Sequence, residues 1–212
     1  MQLLFLLNLG CTGDGYGYSG FGTLDYFAFE GERQWTYSLE GDDSGDTKLS
    51  VEKLAPETIN SLKYMTFEYF IEDPYETLGT LTWVSGGVDG IGITSYTIGE
   101  DDALEEVIFD NTAIFAKTRM APGDVVESSV NGVNISSTLV GNETCPNNWS
   151  TGQDWDCLHF TITADQEGSG FPFLGDYWLA VDWGASRFQV TEGPWAQSAE
   201  WVLLGAEEEV VE

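Results

Sequence analysis

The sequence predicts an all-β fold built from antiparallel strands. Apolar residues recur with a period of two, turn-forming clusters fall between the alternating runs, and helical periodicity is scarce. The chain has 212 residues, which suits one large β domain. It is 42% hydrophobic and 14% aromatic, so it can bury a substantial core.

The chain opens with MQLLFLLNLGCTGDGYGYSGFG. Leu3 to Leu9 is apolar except for Asn8, and Gly10-Cys11 follows. This resembles the end of a bacterial lipoprotein signal, in which a small residue precedes a cysteine that receives lipid and becomes the mature N-terminus. The resemblance implies lipidation of Cys11. No Lys or Arg precedes Cys11, which departs from the usual basic start of a signal peptide. The alternative is a first strand at Met1 to Leu9 with Cys11 as a buried thiol. Thr12 to Gly22 reads as a flexible Gly-rich tether. The expected order is a signal-like segment at 1–11, a tether at 12–23, a β domain at 24–205 and an acidic tail at 206–212.

The strands follow. Trp35, Tyr37 and Leu39 alternate with polar residues. Phe67, Tyr69 and Ile71 alternate with Thr66, Glu68 and Phe70. Leu81 and Trp83 repeat the pattern, as do Leu158, Phe160 and Ile162, then Phe188 and Val190, then Trp201 and Leu203. Such runs read as strands with one wet face. Tyr177 to Trp183 (YWLAVDW) is apolar on both faces and reads as a central strand. Breakers separate the runs at 41–46, 72–74, 85–90, 121–123, 167–170 and 192–194. Two segments carry weak helical signal. APETINSLKYM has Pro56 and Thr58 as start residues, and Asp101 to Phe109 suits a turn or two.

Cys145 and Cys157 flank an eleven-residue polar gap, PNNWSTGQDWD. If Cys11 carries lipid, these two remain to pair, and a disulfide is the expected arrangement in an exported protein. Asp154 and Asp156 disfavour a reactive thiolate there. Alternation with Leu158 and Phe160 places Cys157 on the wetter face. A zinc site is the weaker alternative: Cys157 and His159 share a face, but no second pair completes four ligands.

Two runs carry a resemblance. DYFAFEGERQWTYSLEG resembles the opening of a widespread group of uncharacterised secreted bacterial proteins, in which a W-x-Y strand follows a short turn. GDYWLAVDWGASRFQV resembles that group's YW-x-A-x-x-x-G strand and turn, with Tyr177, Trp178, Ala180 and Gly184 at the matching positions. EWVLL resembles its closing strand. The resemblance spans roughly residues 24–205. The group's PAG-x-F turn is missing, and ETCPNNWSTGQDWDC occupies that region. The resemblance implies a single antiparallel β barrel, or a strongly curved half-barrel with few short helical turns, in the cell envelope. It implies no activity.

Candidate chemistry is sparse. There is no Gly-x-Ser-x-Gly elbow. Ser50-Val51-Glu52-Lys53 fits Ser-x-x-Lys but lies in an alternating run. His159, the single histidine, reads as a polar surface residue before it reads as a general base. Trp155 between Asp154 and Asp156 suits a sugar ligand by stacking and hydrogen bonding, or anchors its loop onto the fold. Asp42, Asp43 and Asp46 offer hard oxygen donors for calcium, without the spacing of an EF-hand. A solvated acidic hairpin turn is the simpler reading of EGDDSGD, and no other cofactor is indicated. Sequons occur at Asn134, Asn142 and Asn148.

Thirty-six acidic residues against seven Lys and Arg give a net charge of −29. That charge repels nucleic acid and anionic lipid headgroups, so neither is expected as a direct partner. No segment reaches the ~18 apolar residues of a membrane helix. The expectation is a non-catalytic lipoprotein of the cell envelope, anchored to a membrane through Cys11 or secreted, and binding an unidentified partner or serving structurally. The alternative is a carboxylate-dependent glycan hydrolase or a carbohydrate-binding module, suggested by abundant acids and eight Trp.

Overall fold

A computed structural model describes residues 21–27, 33–42, 47–72, 75–85, 90–99, 105–145 and 154–208. Among the described residues, fifteen strands alternate up and down. They are β1 (Phe21–Gly22), β2 (Arg33–Leu39), β3 (Lys48–Lys53), β4 (Glu57–Ile59), β5 (Leu62–Glu72), β6 (Tyr75–Ser85), β7 (Gly90–Ile98) and β8 (Glu105–Lys117). Then come β9 (Arg119–Met120), β10 (Val125–Val130), β11 (Val133–Cys145), β12 (Trp155–Ala164), β13 (Gly175–Ala180), β14 (Gly184–Val190) and β15 (Trp201–Glu208). A 3-10 turn covers Leu24–Tyr26.

Twelve strands form one antiparallel path in the order β10-β11-β12-β13-β14-β15-β2-β3-β5-β6-β7-β8. The sheet curls into a nearly closed barrel, as expected from the sequence. Register shifts at Leu139/Gly141, Trp178/Leu179, Leu203/Gly205 and Tyr69/Phe70 supply local bends, and such bulges sharpen the twist that closure needs. Gly79 and Gly175 sit at φ 148° and 145°. A Cβ at either would run into the facing backbone at Thr97 or Gln189. The strands pass too close there for any other residue.

Side chains close the last seam, between β8 and β10. The Ile114 N–H donates to Ser128 Oγ at 3.2 Å. The Asp110 N–H donates to Asn131 Oδ1 at 3.0 Å, and the Asn131 N–H donates to Asp110 Oδ1 at 2.7 Å.

Inward residues follow the predicted alternation. Trp35, Tyr37, Leu81, Trp83, Leu158, Phe160, Ile162, Phe188, Val190, Trp201 and Leu203 are all buried. Both ends are stoppered. At the entry end the chain crosses the rim: β1 pairs with β9, the Thr23 N–H donates to Thr118 O, and the Asp182 N–H donates to Asp25 O. Phe27 then meets Phe115 edge-on, with ring centroids 5.3 Å apart. Phe21 to Thr23, counted above with the tether, are thus part of the fold. At the far end Trp195 stacks on Tyr69, with centroids 4.4 Å apart. Glu192 accepts hydrogen bonds from Gly168 N–H, Gly170 N–H and Ser169 Oγ and so holds the covering loop.

Three expectations need correction. APETINSLKYM is no helix: Glu57–Ile59 turns back through Asn60 and Ser61 to pair with Leu62–Tyr64. Asn60 and Ser61 both take positive φ (52° and 67°), which suits a tight hairpin. From Glu105 onward the second helical candidate is strand β8, paired to β7. Cys157 is the third. It does point away from Leu158 and Phe160, but it is fully buried, not wet.

Cys145 and Cys157 form a disulfide, with Cα atoms 5.9 Å apart. They pack with Trp178 and Ala180, flanked by Trp155 and Trp183, in a second small core on the outer side of the sheet. That cluster explains why YWLAVDW is apolar on both faces. Tyr177 and Leu179 fill the barrel, while Trp178 and Ala180 cover the disulfide. The strand itself ends at Ala180, and Val181 to Trp183 form the following turn.

Removing the bridge by Cys145→Ala with Cys157→Ala is expected to cost about 2–3 kcal/mol, or roughly 5–10 °C in Tm, with unchanged far-ultraviolet circular dichroism. A Tm unmoved by the double substitution, measured by calorimetry, would contradict this.

Candidate functional site

Two places concentrate unusual side chains: the barrel interior and the outer face of β11 to β14.

The interior holds a cavity of about 70 Å³ bordered by Phe27, Trp35, Tyr37, Tyr69, Trp83, Tyr177 and Phe188, among others. Alternation on five different strands and the Phe27 stopper bring these rings together. Pockets for drug-sized ligands run to about 300–1,000 Å³. The space is therefore well below what a lipid chain needs, and the interior is essentially packed. Tyr37 Oη donates to Ala185 O at 2.9 Å, and Tyr177 Oη donates to Phe173 O at 3.0 Å. Burial pushes the phenols of Tyr37, Tyr69 and Tyr177 well above their ordinary value, and in Tyr37 and Tyr177 the nearby Tyr69 adds to the rise.

On the outer face, strand register aligns His159, Trp178 and Arg187 across β12, β13 and β14. The His159 ring stacks on Trp178, with centroids 4.3 Å apart and an interplanar angle of 18°. The Arg187 guanidinium lies over the Trp178 ring, 4.0 Å from its centroid. A bulge at Ser186 lets Arg187 reach this row while Phe188 still faces inward.

Carboxylates frame the stack. His159 Nδ1 lies 2.9 Å from Glu143 Oε1, and Nε2 lies 3.0 Å from Asp176 Oδ1. The Trp178 indole N–H donates to Glu143 Oε2 at 3.0 Å, and Arg187 pairs with Glu200 at 3.2 Å. The indole bond first, and the His159 bond second, hold the Glu143 carboxyl below its ordinary value. Thr161 Oγ1 donates to Asp176 Oδ1. With both ring nitrogens engaged, His159 has no lone pair directed at a substrate. The cation–π–π stack braces β12, β13 and β14, and the Glu143 carboxylate ties β11 to it.

The other candidates fall elsewhere. Cys157 is spent in the disulfide, so it offers no thiolate to a metal beside His159. Ser50 and Lys53 are both buried in β3, but three residues apart on a strand they face opposite sides, so the Ser-x-x-Lys pattern brings no pair together. Trp155 stacks against Trp183, with centroids 6.3 Å apart, while Asp154 and Asp156 are exposed. Trp155 thus packs against the fold while its two acids face water. Asp42 Oδ2 accepts from Thr47 N–H at 3.1 Å. Asp43, Asp46, Asn148 and Cys11 lie outside the described residues. Asn134 and Asn142 are exposed on β11, and Asn134 Nδ2 donates to Asp165 at 2.7 Å.

Sequence reading missed the His159 environment. Glu143 and Asp176 come to it from neighbouring strands, and only the register unites them. Among the described residues no group of three or more His, Cys, Asp or Glu is arranged to hold a metal ion, and no helix is long and apolar enough to cross a membrane.

No protein-family model and no curated protein sequence matches the chain. Two solved structures are similar in shape. One is a provisionally named lipoprotein from Parabacteroides distasonis, 13% identical, with a TM-score of 0.46 over 86% of this chain and 98% of that one. The other is a provisionally named exported protein with a YmcC-like fold from Bacteroides fragilis, 15% identical, with a TM-score of 0.44 over 84% and 96%. Likeness at this level carries no statement about activity.

The phenols and Glu143 predict opposite pH responses. An unfolded tyrosine ionises near 10, and the three buried ones ionise only above that. The stability they contribute is complete below pH 10 and is lost as pH rises beyond it. The urea midpoint is therefore expected to fall above pH 10, with tyrosinate absorbance from these rings appearing only as the fold is lost. Early, non-cooperative ionisation would show that the rings are wet. Glu143 is held below its ordinary value of 4.5, so its contribution is complete above about 4.5 and is lost as pH falls through the lowered value. Glu143→Gln is expected to flatten that acid limb. Identical acid limbs in the two proteins would rule out the Trp178–Glu143–His159 bracket as a source of stability.

Proposed function

We propose that this chain is a non-catalytic, lipid-anchored protein of the cell envelope, whose barrel serves as a binding or structural body carried by lipid on Cys11. The observation that carries the reading is the fixed entry of the N-terminal segment. Cys11 follows an apolar run and a small residue, and only ten residues later Phe21 is stitched to Met120 at one rim of the barrel. A fully extended chain of that length spans at most about 35 Å. A lipid on Cys11 would therefore hold one defined end of the barrel close to a bilayer.

Two further features support the reading. The nearly filled interior suits a rigid body better than a carrier of long apolar ligands. The buried disulfide suits an oxidising compartment outside the cytosol.

Production in a bacterial host, followed by intact-mass analysis of the membrane fraction, tests the proposal. The mature chain is expected to begin at Cys11 with the added mass of lipid, and Cys11→Ser is expected to move the protein to the soluble fraction. An unmodified thiol at Cys11, or a mature start elsewhere, refutes the anchor.

A further inference from the structure

The barrel interior brings together phenols from three strands, Tyr37 on β2, Tyr69 on β5 and Tyr177 on β13, and they differ in how they are satisfied. Tyr37 Oη donates to Ala185 O, and Tyr177 Oη donates to Phe173 O. Tyr69 lies near enough to both that its charge would oppose theirs. It is 9% exposed and its ring stacks on Trp195, yet its Oη makes no hydrogen bond among the described residues. A buried hydroxyl without a partner is costly, and folded proteins retain few of them. Burial holds this phenol well above its ordinary value, so it stays protonated and remains a donor. Tyr69 borders the cavity of about 70 Å³, whose wall is otherwise ring and aliphatic carbon from residues such as Phe67, Trp83, Phe115 and Leu179. Among the described residues, no carboxylate, lysine or arginine lines it. The cavity is therefore an apolar space with one unsatisfied donor in its wall.

We propose that this cavity is a binding site for a small neutral alcohol, whose hydroxyl oxygen accepts the Tyr69 O–H and whose own proton is donated to the Tyr37 or Tyr177 oxygen. Both of those phenols spend their single O–H on a backbone carbonyl, which leaves their lone pairs free to accept. Charge selects the class, since an ion in this space would be stripped of water with nothing to pair it. Size selects within the class. A cavity of about 150 Å³ takes benzene, so one of about 70 Å³ excludes a six-membered ring and suits a short branched or linear chain. Water would satisfy the phenols but leave the ring faces of Phe67 and Trp83 without close contacts, and an alkyl group covers them. No part of this site involves Cys11, so it goes beyond the lipid-anchor reading and does not rest on it.

Nuclear magnetic resonance on the full chain, titrated with propan-2-ol, tests this. Nuclear Overhauser contacts are expected from the propan-2-ol methyl protons to the ring protons of Phe67 or Trp83. The shifts of these rings are expected to saturate, with a dissociation constant on the order of 1–10 mM for so few atoms. Benzyl alcohol, which carries a six-membered ring, is expected to give no saturable shift. Tyr69→Phe removes only the hydroxyl and is expected to weaken propan-2-ol by about fivefold. Without alcohol its Tm is expected to equal or exceed that of the parent, because no hydrogen bond is lost. Shifts that rise linearly without saturating, equal affinity in Tyr69→Phe, or saturable binding of benzyl alcohol overturns the proposal. So do contacts from water alone that propan-2-ol fails to displace, which mark a hydration site. A Tm lowered by Tyr69→Phe also overturns it, since the hydroxyl would then already have a partner in the fold.

Discussion

Pairing of β2 with β15 is the constraint on which the rest of the molecule depends. It joins the first long strand to the last, from Trp201↔Leu39 to Glu208↔Arg33. Every other contact along the sheet path is between strands close in sequence. Without this one pairing, a β10–β15 sheet and a β2–β8 sheet would each expose an aromatic face. With it, the inner faces meet, Tyr37 packs on Phe188 and Phe115 packs on Tyr177. Closing so long a loop is entropically costly and slow, and it is repaid only when the aromatic interior forms. The stoppers depend on the same event, since Phe27 and Trp195 have nothing to plug until the barrel exists.

The outer surface has its own organisation. Most of it is acidic and solvated, but β11 to β14 carry a second layer. The disulfide, Trp178 and Ala180 form a dry patch, and the His159–Trp178–Arg187 row continues it across the strands. Strand β13 is thereby buried on both sides from Tyr177 to Ala180, although the barrel has only one inside. The carboxylates of Glu143, Asp176 and Glu200 then serve as fixed partners and do not merely add to the charge. A residue type that looks catalytic in one dimension is here a structural member.

Much of the fold was legible in the sequence because alternation reports one buried face directly. Trp35–Tyr37, Leu158–Phe160–Ile162 and Trp201–Leu203 all lie inside as the period of two requires. The hairpin at Asn60–Ser61 was not legible, because its helix-like spacing concealed a turn made by two residues of positive φ. Alternation places Cys157 on the correct face, and that face is dry. Alternation tells which side a residue is on and says nothing of what covers that side; Trp178 arrives from another strand. Glu143 and Asp176 beside His159 were hidden for the same reason, since register is a property of pairing and a bulge at Val140 shifts it. The stitching of Phe21 to Met120 was equally invisible, because Gly-rich sequence around it reads as slack chain.

The seam between β8 and β10 has a mechanical meaning. Elsewhere around the wall, neighbouring strands share a ladder of backbone bonds. Here a few side-chain stitches from Ser128, Asn131 and Asp110 do the closing. A cylinder riveted along one line has a preferred direction of failure. Under strain it would split lengthwise there and unroll as a sheet before either half lost its own ladder. The two lips of that split are strand edges with free donors and acceptors, so the same line that lets the wall open is where a neighbouring chain could be grafted into it.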